Sequence, residues 1–204
     1  MNARLEAFCD GVFAFALTLL IVDVRVPNAE SIRGTAEAWS ALRHLGPSFF
    51  AFILSFVVIL ITWVNHHNTL KLVNASSVPF IYANGLLLLG VVCIPFTTAT
   101  LGAFLLTDHA APGVALYNTL LVVQAVGWLA ITGAVLRNRL YAGEHALIAI
   151  REFRNRAYAA VALYTALALL GLWLPLSVAA VTTGTWLLWL VLSLGSSRYA
   201  HVAA

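Results

Sequence analysis

The chain has 204 residues; 62% are hydrophobic, 9% are charged, and the formal net charge is +3. Soluble domains average about 45–50% apolar and about 25% charged residues, so the charge here is too sparse for a soluble globule or a disordered chain. The eleven Lys and Arg residues are scattered rather than gathered into a phosphate-tracking patch, which excludes a nucleic-acid partner and leaves a polytopic membrane protein with mean hydropathy +0.93.

A hydrocarbon core about 30 Å thick takes roughly 20 helical residues to cross. By that measure the chain is one all-α transmembrane domain over 1–204, with spans expected at 5–26, 46–70, 79–106, 112–136, 155–174 and 176–195. Pro27, Pro47, Pro79, Pro112 and Pro175 lie near proposed ends, where proline is tolerated. Pro95 lies inside span 3 and is expected to kink it. The start MNARLEAFCDG has no cleavage-site pattern, so span 1 is expected to stay in the mature protein. Cys9 and Cys93 both sit in apolar segments and suggest neither a disulfide framework nor a zinc site.

Basic residues set the orientation. With both termini inside, the cytoplasmic face holds Arg4, Lys71, Arg137, Arg139, Arg151, Arg154, Arg156 and Arg198, and the outer face holds Arg25, Arg33 and Arg43. This places the chain in an inner (plasma) membrane. The 137–156 segment, with five arginines and two glutamates, reads as a solvated cytoplasmic loop; contact with lipid headgroups is the sharper alternative.

Span 1 is unusual. The stretch between Asp10 and Asp23 is too short to cross alone, so the helix extends back through Arg4, Glu6, Cys9 and Asp10. Acids at membrane depth face protein or water. At about 100° per residue, Asp10, Ala14, Leu17 and Ile21 share one face, suited to docking on neighbouring helices. Gly11, Phe15, Thr18 and Val22 share a second, with Leu19 on its edge, suited to lining a narrow pathway in an oligomer. Both faces also fit ordinary helix contacts.

Span 2 ends in Trp63-Val64-Asn65-His66-His67-Asn68. Adjacent histidines point about 100° apart on a helix and cannot clamp one metal as an i,i+4 pair can, so no metal or other cofactor is expected. One is expected to bond across helices and the other to reach the cytoplasmic interface, with Asp10 as a partner for the pair. Asn84 in span 3 and Gln124 in span 4 read as interhelical hydrogen bonders. Thr97, Thr98 and Thr100 are expected to satisfy backbone groups freed at Pro95. Trp173, Trp186 and Trp189 read as lipid-face or interface residues, and spans 5 and 6, joined at Pro175, as a tight antiparallel pair.

No G-x-S-x-G, H-E-x-x-H or Walker loop is present, so no enzymatic activity is expected. Spans 2 to 6 contain no acid, which weighs against an ion-coupled carrier.

Arg4-Leu5-Glu6-Ala7-Phe8-Cys9-Asp10-Gly11 resembles the R-x-x-x-F-S-D signature that opens helix 1 in the transmembrane protein 175 family, the endolysosomal potassium channels and their prokaryotic relatives. The following VFAFALTLLIVDVRVP, the Trp63…His66-His67 end of span 2 and the Asn84…Pro95-Phe96 pattern of span 3 are similar to that family too. Cys9 stands where the family usually has serine, a change that keeps the size and weakens the hydrogen bond. The resemblance implies a prokaryotic single-repeat member, a homotetramer whose helix 1 lines a central pore conducting potassium passively. It implies that Arg4 and Asp10 tie helix 1 to its neighbours, that Phe15 forms an apolar constriction where relatives mostly carry isoleucine or leucine, and that Thr18, Leu19 and Val22 continue the pore stripe. An apolar ring of this kind is a hydrophobic gate that closes by dewetting. Phe8, Cys9 and Gly11 complete the signature, and Trp63, His66, His67 and Asn84 form a polar network behind it. The competing readings are an ion-coupled secondary transporter, with Asp10 as the protonation site, a membrane enzyme or redox protein using His66 and His67, and a non-conducting membrane scaffold.

Overall fold

The computed structural model describes the backbone of residues 3–200 and the side chains of that stretch up to Val191, Ser31 apart. Arg198, assigned above to the cytoplasmic face, lies outside the described side chains. The fold is all-helical: α1 (Ala3–Val22), a 3-10 turn (Ala29–Ser31), α2 (Thr35–His44), α3 (Gly46–Lys71), α4 (Val78–Val92), α5 (Ile94–Phe104), α6 (Ala110–Arg137), α7 (Glu144–Leu170) and α8 (Pro175–Ala200). Among the described residues, four stretches are long and apolar enough to cross a membrane: Ala3–Val22, Gly46–Lys71, Val78–Phe104 taken across its break, and Ala110–Arg137.

The boundaries differ from the sequence expectations for identifiable reasons. Span 1, expected to reach residue 26, ends at Val22. Pro27 has no amide proton and biases its predecessor towards extended backbone. Span 3 is two helices meeting at Cys93, because Pro95 in the first turn of α5 cannot continue the hydrogen-bond ladder of α4. The charged segment expected as a loop is helical from Glu144 onward. Ala146, Ile150 and Ala157 are buried there, and Phe153 meets Trp128 of α6 edge-on at 4.8 Å. An apolar stripe at helical spacing thus carries Arg151 and Arg156 on its outer side, with Arg154 half-buried at its edge. Helix α2 has no counterpart in the sequence reading. None of its residues is buried, so it leaves no hydrophobic periodicity, and its support is local: Glu37 accepts from the Arg33 amide at 2.8 Å.

Helix α1 packs against α3, α4 and α5; α6 packs against α4, α5 and α7; α8 lies against α3, α6 and α7. The α4–α6 crossing depends on two glycines. A Cβ on Gly127 would fall 2.9 Å from Leu87 Cα, and one on Gly90 would fall 2.8 Å from Gln124 Cγ. Backbones approach closely there only because no side chain intervenes. A second core closes the end where α3, α4, α6 and α7 meet, around Leu70, Phe80, Leu87, Trp128, Ile131 and Ile150.

The interior is also joined by hydroxyls. Tyr117 Oη lies 3.0 Å from Ser55 Oγ, Thr98 Oγ1 lies 2.6 Å from Ser55 Oγ, and Thr98 Oγ1 lies 2.8 Å from the Ile94 carbonyl. Thr97 also donates to Ile94, and Thr100 donates to Phe96. These carbonyls lie at or after Ile94, so the threonines brace α5 rather than the groups freed upstream by Pro95. Trp186 is a correction too: it is 8% exposed and stacks on Tyr164 at 6.1 Å, whereas Trp173 is exposed.

Candidate pore-lining helix

Helix α1 has one face in the protein and one face outside it. Cys9, Phe13, Ala16 and Leu20 are buried. Across the helix, roughly 150° away at 3.6 residues per turn, Phe8, Gly11, Phe15, Thr18 and Val22 form an open stripe at alternating three- and four-residue spacing. Phe8 is 62% exposed, Phe15 63% and Val22 69%, and nothing lies within 4 Å of a Cβ placed on Gly11. Leu19 is half-buried and flanks the stripe. The Thr18 hydroxyl donates to the Phe15 carbonyl at 2.8 Å. Its proton is thus spent on the helix, and its lone pairs remain available on the open side.

The docking face is rotated from the one expected. Ala14 and Ile21 are exposed and Leu17 is half-buried. Asp10 lies at the edge of the packed face, where α3 reaches it sideways. Trp63 Nε1 donates to Asp10 Oδ1 at 2.8 Å, and His67 Nδ1 meets Glu6 Oε1 at 3.1 Å. The Trp63 and His67 rings stack at 6.2 Å. Glu6 and Asp10 are four residues apart, as are Trp63 and His67, and the helices run antiparallel, so the four side chains form two rungs of a ladder. The partner of Asp10 is therefore Trp63, not the histidine pair, and Glu6 belongs to the network although the sequence reading gave it no such role. Its signal was the matching four-residue spacing on both helices. Arg4 is exposed, and among the described residues it makes no salt bridge.

His66 faces the other way. Its Nε2 lies 2.8 Å from Asn84 Oδ1, while Asn84 Nδ2 donates to the Phe80 carbonyl at 2.7 Å. Asn84 Oδ1 is an acceptor, so His66 carries its proton on Nε2, and its Nδ1 is the nitrogen left without a partner among the described residues. The ring also sits 5.5 Å from Phe13. Trp63 and His67 thus hold α1 at one end, while His66 and Asn84 tie α3 to α4 beside it. Gln124 accepts from Thr62 at 3.5 Å, a long contact. Among the described residues, no three His, Cys, Asp or Glu side chains lie together as a metal site.

Comparison with known proteins agrees with this architecture. A family model described as the endosomal/lysosomal potassium channel TMEM175 matches residues 4–95. The chain is 40% identical to a potassium channel of Chamaesiphon minutus over 76% of its own length and 71% of the relative's. It is 40% identical to a potassium channel of Streptomyces collinus over 64% of its own length and 62% of the relative's. The crystal structure of a lysosomal potassium-selective channel TMEM175 homolog from Chamaesiphon minutus superposes with a TM-score of 0.80 at 30% identity, covering 94% of this chain and 97% of that one. The chain, an all-helical membrane protein and not an enzyme, therefore belongs to the TMEM175 family.

Proposed function

We propose that this protein is a potassium channel that conducts passively through a central pore of a homotetramer, with six membrane spans per protomer and both termini in the cytoplasm. The carrying observation is the open stripe of α1: three large apolar side chains, one threonine and one glycine lie unpacked on a helix whose opposite face is fully buried. Four such stripes around an axis complete one another. Phe15 then forms the narrowest ring, a constriction that sheds water when closed. Thr18, one turn along, offers hydroxyl lone pairs to a partly dehydrated cation. Val22 continues the lining, with Leu19 at its flank. The relatives named as potassium channels and the matching channel structure support the ion assigned.

The test is flux from liposomes carrying purified protein, under a potassium gradient and then a sodium gradient. Wild type is expected to pass potassium faster than sodium. Phe15→Ala is expected to raise flux several-fold and to narrow the difference between the ions. Phe15 is exposed in the protomer, so its truncation leaves the fold within about 0.5 kcal/mol of wild type, and altered flux reports the pore. Unchanged flux in the variant removes Phe15 as the constriction. No flux from folded oligomers of either protein favours the scaffold reading.

A further inference from the structure

A cavity of about 320 Å³ opens where α6 ends and α7 begins, lined by Leu136, Arg139, Tyr141, Leu147, Arg151 and Arg154. Three of the six are arginines, and neither nearby glutamate, Glu144 or Glu152, lines it. Arg151 and Arg154 are one turn apart on α7 and share a face. Arg154 Nε is shielded from solvent and has no hydrogen-bond acceptor among the described residues, a costly arrangement for a charged donor.

The third arginine is held there by the backbone. Helix α6 closes with the Leu140 amide bonded to the Val135 carbonyl at 3.0 Å and the Arg139 amide to the Leu136 carbonyl at 3.4 Å. This is the paired bonding of a Schellman turn. Arg139 takes its left-handed position, at φ +54°, where glycine sits without strain and an arginine does not. The turn is then clasped to the end of α3: the Asn74 amide donates to the Leu140 carbonyl at 3.0 Å and the Ala142 amide to the Leu72 carbonyl at 2.9 Å. A strained residue on a pinned turn aims a cation at two others.

We propose that this cavity is a binding site for a phosphate monoester, held by Arg139, Arg151 and Arg154 with the Tyr141 hydroxyl as a neutral donor. Such a group carries about −1.5 to −2 charges at neutral pH and three acceptor oxygens, which matches converging guanidinium forks. The volume equals roughly ten water molecules at about 30 Å³ each, enough for the phosphate and the carbons next to it. The group could belong to an anionic lipid of the adjoining leaflet or to a soluble ester. The inference does not depend on conduction.

Melting of the full-length protein in neutral detergent at physiological salt provides the test, titrated with dioleoylphosphatidic acid, dioleoylphosphatidylcholine and sn-glycerol 3-phosphate. Phosphatidic acid is expected to raise the melting temperature saturably and phosphatidylcholine to act at least about tenfold more weakly. A response to glycerol phosphate as well identifies the phosphate group as sufficient; a response to the lipid alone identifies the bilayer as the source. Arg139→Gly removes a charge while relieving the turn, so the variant folds at least as well as wild type and is expected to weaken binding about tenfold. Arg154→Gln is expected to do the same, whereas Arg137→Gln, which removes a charge from the same end outside the cavity, leaves binding within about twofold. Equal responses to the two lipids, no response to either phosphate ester, wild-type binding by Arg139→Gly, or equal losses in Arg137→Gln and Arg154→Gln each overturn the proposal.

Discussion

Asp10 and Asn84 illustrate how differently two polar residues in apolar helices are satisfied. Asp10 is half-buried and takes one indole donor from Trp63. Asn84 is buried and uses both ends of its amide, one for His66 and one for its own helix. Trp63→Phe keeps an aromatic ring but removes the donor together with the five-membered half of the indole, and is expected to destabilise the protein by about 1–2 kcal/mol. Asn84→Leu leaves a buried imidazole N–H unpaired and is expected to cost about 1–3 kcal/mol. Denaturant unfolding in mixed micelles ranks the two, and a larger loss for Trp63→Phe would contradict the burial argument. That the polar side chains of the α3 end and Asn84 need partners was legible in the sequence, because polar groups in membrane helices are costly when left unpaired. The pairing was not, since it depends on the helix rotation that brings Glu6, rather than Asp10, opposite His67.

At the scale of elements, the apolar helices were readable because their composition dominates length. Elements without an apolar signature were not. Helix α2 buries nothing, and the first three turns of α7 hide a buried stripe among arginines. The break at Cys93 was legible from Pro95, since the lost amide has the same consequence in any context. Close helix approach, by contrast, is written in glycines whose role depends on a distant partner. Gly127→Ala puts a methyl group 2.9 Å from Leu87 Cα and is expected to cost about 1–3 kcal/mol by forcing α4 and α6 apart. Gly133→Ala, on the same helix with nothing within 4 Å of the added carbon, serves as the control and is expected to be neutral or slightly stabilising. Equal melting temperatures for both would remove the crossing as a constraint.

For the whole molecule, the decisive surface is one the single chain cannot cover. If four α1 helices surround an axis, a cysteine at Thr18 in a background lacking Cys9 and Cys93 is expected to form inter-chain disulfides on oxidation in membranes. A cysteine at Ile53, also exposed but on α3, is expected not to. Cross-linking of Ile53→Cys and not Thr18→Cys would place the symmetry axis on another face.

The two-rung ladder between α1 and α3 has a mechanical consequence. Both rungs lie in the first half of α1, and among the described residues no bond of comparable strength holds the second half, whose inward side chains Phe13, Ala16 and Leu20 are apolar. Sliding α1 along α3 by one residue, about 1.5 Å, puts both rungs out of register at once, so the helix resists moving as a piston. Tilting about the anchored end meets only greasy, non-directional contacts. If α1 lines a pore, a change of its bore is therefore cheapest as a pivot, with the fulcrum beside Asp10 and the displacement growing towards Val22.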